Sequence, residues 1–317
     1  MSHFSGIDLD GLRGFVAVAE RATFHEAAVE LNVSASALTR RIQRLETALG
    51  VALLERTTRR VTLTPIGQLF LPGAQRVLHE LDATLSRVAE SGNARVGQIT
   101  VACIPTVTNH LLPRIIRDYR MRRPEVRIRR MEGNVGAVAR TVREGLADFG
   151  LTFMVAPDPD FLFDALVTDP YCLVCPIDHP LAQLRCVEWK DLKPHQLIIS
   201  GRGSGNRMIL DEALRSVIWQ PDRPVEIEHL TTSLGLVEAG LGISVVPQSA
   251  LPGEPQSSMA IRPLVNPTVT RTIGLIRRRG VTLAPVAQQF LLAVRRMVPG
   301  LAREVEERTV RLAQAAS

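Results

Sequence analysis

At 317 residues, with 45% hydrophobic residues and a mean hydropathy of +0.09, the chain is long enough for two or three compact units and is globular rather than disordered. Its 38 Lys and Arg against 32 Asp and Glu give a net charge of +6, which suits an anionic partner, while 4% aromatic residues suit single-strand binding by base stacking poorly. No apolar run approaches the ~18 residues a membrane span needs, residues 1–8 lack a basic region leading into an apolar core, and four Cys without such a signal read as reduced cytosolic thiols.

In chain order, Asp8 is placed to cap a first helix to about Arg21, with Leu9, Leu12, Phe15, Val16 and Ala19 on one side. Thr23 opens a short second helix, Glu26 completes a capping box, and Ala27, Ala28 and Leu31 form its inner face. Asn32 and Val33 break it. Ser34 then caps a third helix, with Val33 and Leu38 as a hydrophobic staple. In this helix Leu38, Ile42, Leu45 and Leu49 recur at steps of four, three and four and face inward, and Gly50 ends the run.

The opposite face of the third helix carries Ala35, Ser36, Thr39, Arg40 and Gln43. These small, hydroxylic, guanidinium and amide groups are the set that enters a major groove, donates to phosphates and touches base edges. An ordinary solvated face is also polar, so the face alone leaves that alternative open. Residues 1–92 hold ten Arg and ten acidic residues, which cancel. Yet Arg40, Arg41, Arg44, Arg56, Arg59 and Arg60 cluster against only Glu46 and Glu55, and phosphate contact is local.

Two short strands, Val51 to Arg56 and Arg60 to Thr64, enclose a polar, basic turn and form a wing. Thr64-Pro65 starts a long helix to about Glu90, with Pro at the first helical position. Leu78, Leu81, Leu85 and Val88 make a narrow stripe on it suited to a partner helix, and Pro72 should bend it or delay its regular part. From residue 96 the pattern changes to a βαβαβ unit: strands at 98–104, 126–131 and 147–153, and helices at 109–122 and 135–144. After a break at 156–160 come strands near 162–168, 171–176 and 196–199. A helix from Asn206, a strand at 225–229, a helix from Thr231, strands at 242–246 and 269–277, and a closing helix at 282–308 complete the chain.

These residues carry a family resemblance. The run Phe24-x-x-Ala27-Ala28-x-x-Leu31-x-Val33-Ser34-x-Ser36-Ala37-Leu38-Thr39-Arg40-x-Ile42-x-x-Leu45-Glu46-x-x-Leu49-Gly50 resembles LysR-type transcriptional regulators. So do Leu53-x-x-Arg56, Leu63-Thr64-x-x-Gly67, Leu111-Leu-Pro113, Gly145-x-x-Asp148, Asp178-His-Pro-Leu-Ala182 and Gly240-Leu-Gly-Ile-Ser-Val-Val-Pro247. The resemblance implies an α-rich winged helix-turn-helix followed by an α/β effector domain shaped like a periplasmic binding protein, its two lobes joined by crossing strands. The implied division is 1–64 for the DNA-binding domain, 65–92 for the linker helix and 93–308 for the effector domain, with 309–317 as a tail. Lobe I takes about 96–164 and 269–308, lobe II about 165–268, with crossings near 164–168 and 266–271.

Expected partners are double-stranded promoter DNA, a small effector and further copies of the chain, as a homodimer or a homotetramer built as a dimer of dimers. No cofactor is expected, and the setting is cytoplasmic, at bacterial promoters on the nucleoid. The DNA-binding set is Ser34, Ser36, Thr39, Arg40 and Gln43 on the third helix, with Arg56, Thr58 and Arg59 in the wing. In one departure, the family often has Gln then Pro after the capping Ser, and here Ala35 and Ser36 stand there. Ala35 offers a methyl to thymine but no bidentate contact to adenine.

Ligands of open α/β sheets sit beyond the carboxyl ends of strands. The strand ends supply Thr106, Thr108, Asn134 and Thr152 from one lobe and Ser200, Arg202, Thr231 and Thr232 from the other. By the family's pattern, Thr106 falls where a Ser or Thr commonly holds the effector. Hydroxyls, amides and helix N-termini converging with Arg202 suit an anion, in particular a carboxylate, although each residue alone also reads as an ordinary helix cap.

Cys172-x-x-Cys175-x-x-x-His179 has a metal-like look, but strand alternation puts the two thiols on opposite faces. Residues 201–206 match neither a P-loop nor a serine nucleophile elbow, and no His–carboxylate pair stands out as catalytic. The competing reading, a solute-binding protein or enzyme on the same two-lobed fold, accounts for 96–300 but not for residues 9–64.

Overall fold

The computed structural model describes residues 7–56, 61–91, 97–216, 223–251 and 258–314. It divides into an N-terminal unit and a larger second unit that begins at Gln98.

The N-terminal unit opens with α1 (Leu9–Arg21), α2 (Phe24–Glu30) and α3 (Ala35–Leu49). Each starts at a side-chain cap: Asp8 accepts from the Gly11 amide at 2.6 Å, Thr23 from Glu26 at 3.3 Å and Ser34 from Ala37 at 3.2 Å. α3 ends at Gly50, whose φ of 70° is the left-handed turn that glycine takes without strain. Leu38, Ile42 and Leu45 are buried as their spacing predicts, against Phe15, Val18, Ala27 and Ala28. The inner face of α1 differs from expectation. Leu9 is exposed and Val16 and Ala19 are half-buried, while Gly11, Leu12, Gly14, Phe15 and Val18 face inward. At Gly14 a β-carbon would lie 2.8 Å from Leu38, so close packing against α3 lets glycines occupy positions a hydrophobic pattern ignores.

The wing strands β1 (Leu54–Arg56) and β2 (Val61–Leu63) pair antiparallel, Leu54 opposite Leu63. They are shorter than expected because the chain before β1 packs inward at Leu53, where Glu46 Oε1 accepts from the amides of Leu53 (2.8 Å) and Leu54 (3.1 Å). Thr58 and Arg59 lie outside the described residues. Thr64 caps α4 (Pro65–Ser91) through the Gly67 amide at 2.9 Å, and Pro72 sits inside that helix. Leu78 packs into the unit's own core, while Leu69 (82% exposed), Val77 (51%) and Leu85 (51%) face outward.

The second unit runs β3 (Gln98–Cys103), α5 (Pro105–Arg122), β4 (Arg127–Glu132), α6 (Val135–Arg143) and β5 (Phe149–Phe153), with β3 parallel to both β4 and β5. α5 begins four residues before the expected Asn109. Pro105 takes its first position, where a missing N–H costs nothing, so Thr106 and Thr108 lie in its first turn rather than in a loop.

Then comes β6 (Phe161–Pro176), one continuous strand where two were expected. Residues 161–170 pair with the later strand of lobe I, and 171–176 with strands of lobe II, so β6 itself is the first crossing. Lobe II continues with β7 (Val187–Glu188), β8 (Leu197–Ser200), α7 (Gly205–Ala213), β9 (Val225–Ile227), α8 (Leu230–Glu238), β10 (Ile243–Pro247) and β11 (Met259–Val265). β12 (Thr270–Arg278) returns antiparallel to β5 and β6, and α9 (Pro285–Gln314) closes the chain, extending the helix into the expected tail. β7 and β11, absent from the sequence expectation, pair with each other, and β11 also pairs with β6.

Each lobe has its own core. Phe149, Phe153, Phe290 and Tyr119 anchor the first, with the Tyr119 and Phe290 rings 5.0 Å apart, edge to face. Trp189, Tyr171, Leu173 and Cys175 anchor the second on one side of β6, and Cys172 and Val174 enter a separate cluster on the other.

Candidate functional sites: a recognition helix and an interlobe cleft

On α3 the face opposite the core leaves Ser34, Ala35, Ser36, Arg40, Gln43 and Arg44 exposed, with Thr39 half-buried between them. Ser34 and Ser36 hydroxyls are 3.1 Å apart at the helix tip. Arg40 Nε donates only to the Ser36 carbonyl, at 3.4 Å, and among the described residues no acid pairs with it. Arg41, its neighbour in sequence, is bound to Asp10 at 3.0 Å and belongs to the scaffold. The helix thus sorts its arginines: Arg40 has no acidic partner among the described residues, while Arg41 is tied to α1 by a surface ion pair. Spacing alone did not separate them, because Asp10 lies on another helix.

In the second unit, β6 and β12 place Asp169 and Arg271 opposite each other in register. Both are fully buried, at 0% and 1% side-chain exposure, with Arg271 Nη2 2.9 Å from Asp169 Oδ2. Arg271 also reaches into both lobes. Nη2 donates to Thr106 Oγ1 of lobe I at 2.9 Å, and the guanidinium lies 4.7 Å from the Phe153 ring. Towards lobe II, Nη1 donates to Asn206 Oδ1 at 2.8 Å and Nη2 to Ser249 Oγ at 3.0 Å. Asp169 is held in turn by the Ser249 amide (2.9 Å) and hydroxyl (2.6 Å).

Tyr171 donates its hydroxyl to Asn206 Oδ1 at 3.0 Å, and burial pushes its phenol well above the ordinary tyrosine range, so it stays a donor. A β-carbon on Gly205 would come within 3.1 Å of Phe153 and Val135, so the N-terminus of α7 touches lobe I. A buried, charge-balanced network therefore ties the two lobes together.

Of the residues read from sequence, Thr106 belongs to this network. Thr108 does not: its hydroxyl lies 3.0 Å from Cys103 Sγ, and it lines a pocket of about 640 Å³ formed with Leu112, Ile116, Arg120 and Arg130. Asn134 caps α6 through the Ala137 amide at 2.9 Å. Thr152 is buried and donates to the Phe153 carbonyl, and Ser200 is buried at the end of β8. Arg202, Thr231 and Thr232 are exposed, and the guanidinium buried between the lobes is Arg271 instead. Asn206, which closes the stretch 200–206 expected to line the cleft beyond a strand end, does join the network, whereas Asp169, Tyr171 and Arg271 sit within the crossing strands and, like Ser249, were not anticipated. Nothing local marks the pair: β6 also carries Asp164 and β12 also carries Arg277 and Arg278, and Asp169 and Arg271 lie 102 residues apart.

A winged helix-turn-helix followed by a two-lobed α/β domain is the build of a DNA-binding regulator that responds to a small molecule. Residues 9–68 match the bacterial regulatory helix-turn-helix protein of the lysR family, and residues 92–299 match the LysR substrate binding domain. The chain belongs to the LysR family of transcriptional regulators. It is 40% identical over 283 residues, 89% of each chain, to YbhD of Escherichia coli K12, an uncharacterized HTH-type transcriptional regulator. It is 30% identical to the E. coli K12 dual regulator OxyR, over 93% of this chain and 97% of that one. Full-length CbnR complexed with its target DNA is 25% identical with a TM-score of 0.68, over 92% of this chain and 99% of that chain.

Proposed function

We propose that the chain binds double-stranded promoter DNA through the outer face of α3 and the wing, and that a small carboxylate in the interlobe cleft changes that binding. The observation that carries the DNA reading is the division of α3 into a buried apolar face and an exposed one with Ser36, Arg40, Gln43 and Arg44. The outward Leu69, Val77 and Leu85 of α4 support pairing of two copies through the linker helix, as a homodimer or as the dimer within a tetramer. Such a protein works in the cytoplasm, at promoters on the nucleoid.

The carboxylate reading rests on Arg271 and Thr106, which join the lobes at the cleft floor. A ligand there changes the relative free energy of lobe arrangements, and only that difference can be passed to the DNA. The test is a gel shift on promoter fragments, titrated with small carboxylates first ranked by thermal shift, since a ligand of the folded state raises its stability. A DNA complex whose midpoint moves with a stabilising carboxylate supports the reading. Stabilising carboxylates that all leave the midpoint in place would contradict it.

A further inference from the structure

The Asp169–Arg271 pair sits where an anionic effector would be held, and it already satisfies the guanidinium. Arg271 is the buried cation of the cleft floor, and its bonds reach Thr106 in one lobe and Asn206 and Ser249 in the other. Asp169 provides what a ligand carboxylate would provide: two oxygens, one on Arg271 and both on Ser249. A second carboxylate cannot share this buried site cheaply, because like charges in a low-dielectric interior repel strongly. Ser249 lies in the 3-10 turn Gln248–Ala250, so Asp169 holds a turn at the end of β10 to the crossing strands through two bonds, beside the one from Arg271.

We infer that Arg271 is the receptor for the effector's anionic group and that Asp169 is its resident competitor, which the incoming carboxylate displaces from Arg271, loosening the hold of Asp169 on the Ser249 turn. This inference deepens the carboxylate reading above and rests on it. It makes the strength of the Asp169–Arg271 bond part of the effector's affinity. Binding is the ligand's hold on Arg271 minus the hold of the internal ion. Asp169 also works as a specificity filter, since a neutral ligand gains nothing by displacing a carboxylate from a guanidinium.

The experiment measures thermal unfolding of the full-length protein, of Asp169→Asn and of Asp169→Asn/Arg271→Gln, with sodium acetate as the probe and acetamide as its neutral counterpart. Removing the competitor should lower the half-saturating acetate concentration of Asp169→Asn by about tenfold or more relative to the parent chain, with no gain for acetamide. The double variant should lose the gain. Ser249→Ala keeps the test alive should Asp169→Asn not fold. It removes one donor holding Asp169 and should shift the acetate response in the same direction by less.

Equal acetate responses in the parent and in both single variants would overturn the inference, as would a gain that survives Arg271→Gln. DNA occupancy of the same samples separates this from the reading beneath it. An acetate response that requires Arg271, with DNA occupancy unmoved, sustains Arg271 as the receptor and contradicts the promoter coupling instead.

Discussion

Arg40→Ala is the sharpest perturbation of the face of α3 proposed to read DNA. The side chain is exposed, and among the described residues its one bond is a 3.4 Å contact to the Ser36 carbonyl of the same helix. Its removal should leave folding stability within about 0.5 kcal/mol. If α3 reads DNA as proposed, the same truncation should delete one base-edge or phosphate contact in each half-site, about 1–3 kcal/mol. For two copies on a two-fold site with independent half-sites the loss doubles to about 2–6 kcal/mol.

Arg41→Ala is the matched control, with the same charge change one residue on. Arg41 is tied to Asp10 at 3.0 Å, so its loss removes a surface ion pair worth about 0–1 kcal/mol of stability and changes no base preference. Fluorescence-anisotropy titrations on a specific and a scrambled duplex, at two salt concentrations, read both variants. Arg40→Ala should narrow the gap between the two duplexes, while Arg41→Ala should preserve it. Equal and small losses on both duplexes for Arg40→Ala would refute its role in reading bases.

Three further outcomes are expected. Thr106→Val removes the lobe I acceptor of Arg271 and should cost about 1 kcal/mol of thermal stability and abolish the effector response while DNA binding persists; a normal response would remove Thr106 from the site. Leu85→Glu places a charge on the outward face of α4 and should shift the assembly towards smaller species by light scattering, and an unchanged mass would place the pairing surface elsewhere. For the thiols, burial raises Cys103 and lifts Cys175 to about 11, so both are protonated and weakly nucleophilic at neutral pH. With exposed Cys186 as the internal reference, a thiol reagent at pH 8 should modify one thiol quickly and Cys103, Cys172 and Cys175 only on unfolding; rapid labelling of all four would contradict that burial.

The N-terminal half was legible because its determinants are local. Asp8, Thr23, Ser34 and Gly50 mark helix ends by bonds spanning three or four residues, and Leu38, Ile42 and Leu45 mark a face by spacing. Where a glycine or a partner on another helix does the work, as at Gly14 and Arg41, the pattern is silent. The alternation of strands and helices in the second unit was legible for the same reason. The continuous run of β6 was not, because a strand that changes partners at residues 170–171 reads as two.

The cleft shows the limit most clearly. Strand ends are visible in sequence, and they led to Thr106, but also to Asn134, which caps a helix, and to Arg202, Thr231 and Thr232, which are exposed. The charged pair at the floor depends on Asp169 and Arg271 facing each other across two strands far apart in the chain. That is a fact of topology and leaves no local pattern.

In the proposed function, α3 and the wing, presented by paired chains, read a specific DNA site. The most direct test selects bound fragments from genomic DNA at moderate salt and footprints the strongest. The expected result is protection of two half-sites related by a rough dyad, with centres about 10 base pairs or a multiple apart. Protection with no preference for sequence, or a complex that scrambled competitor DNA removes as readily as specific DNA, would contradict it.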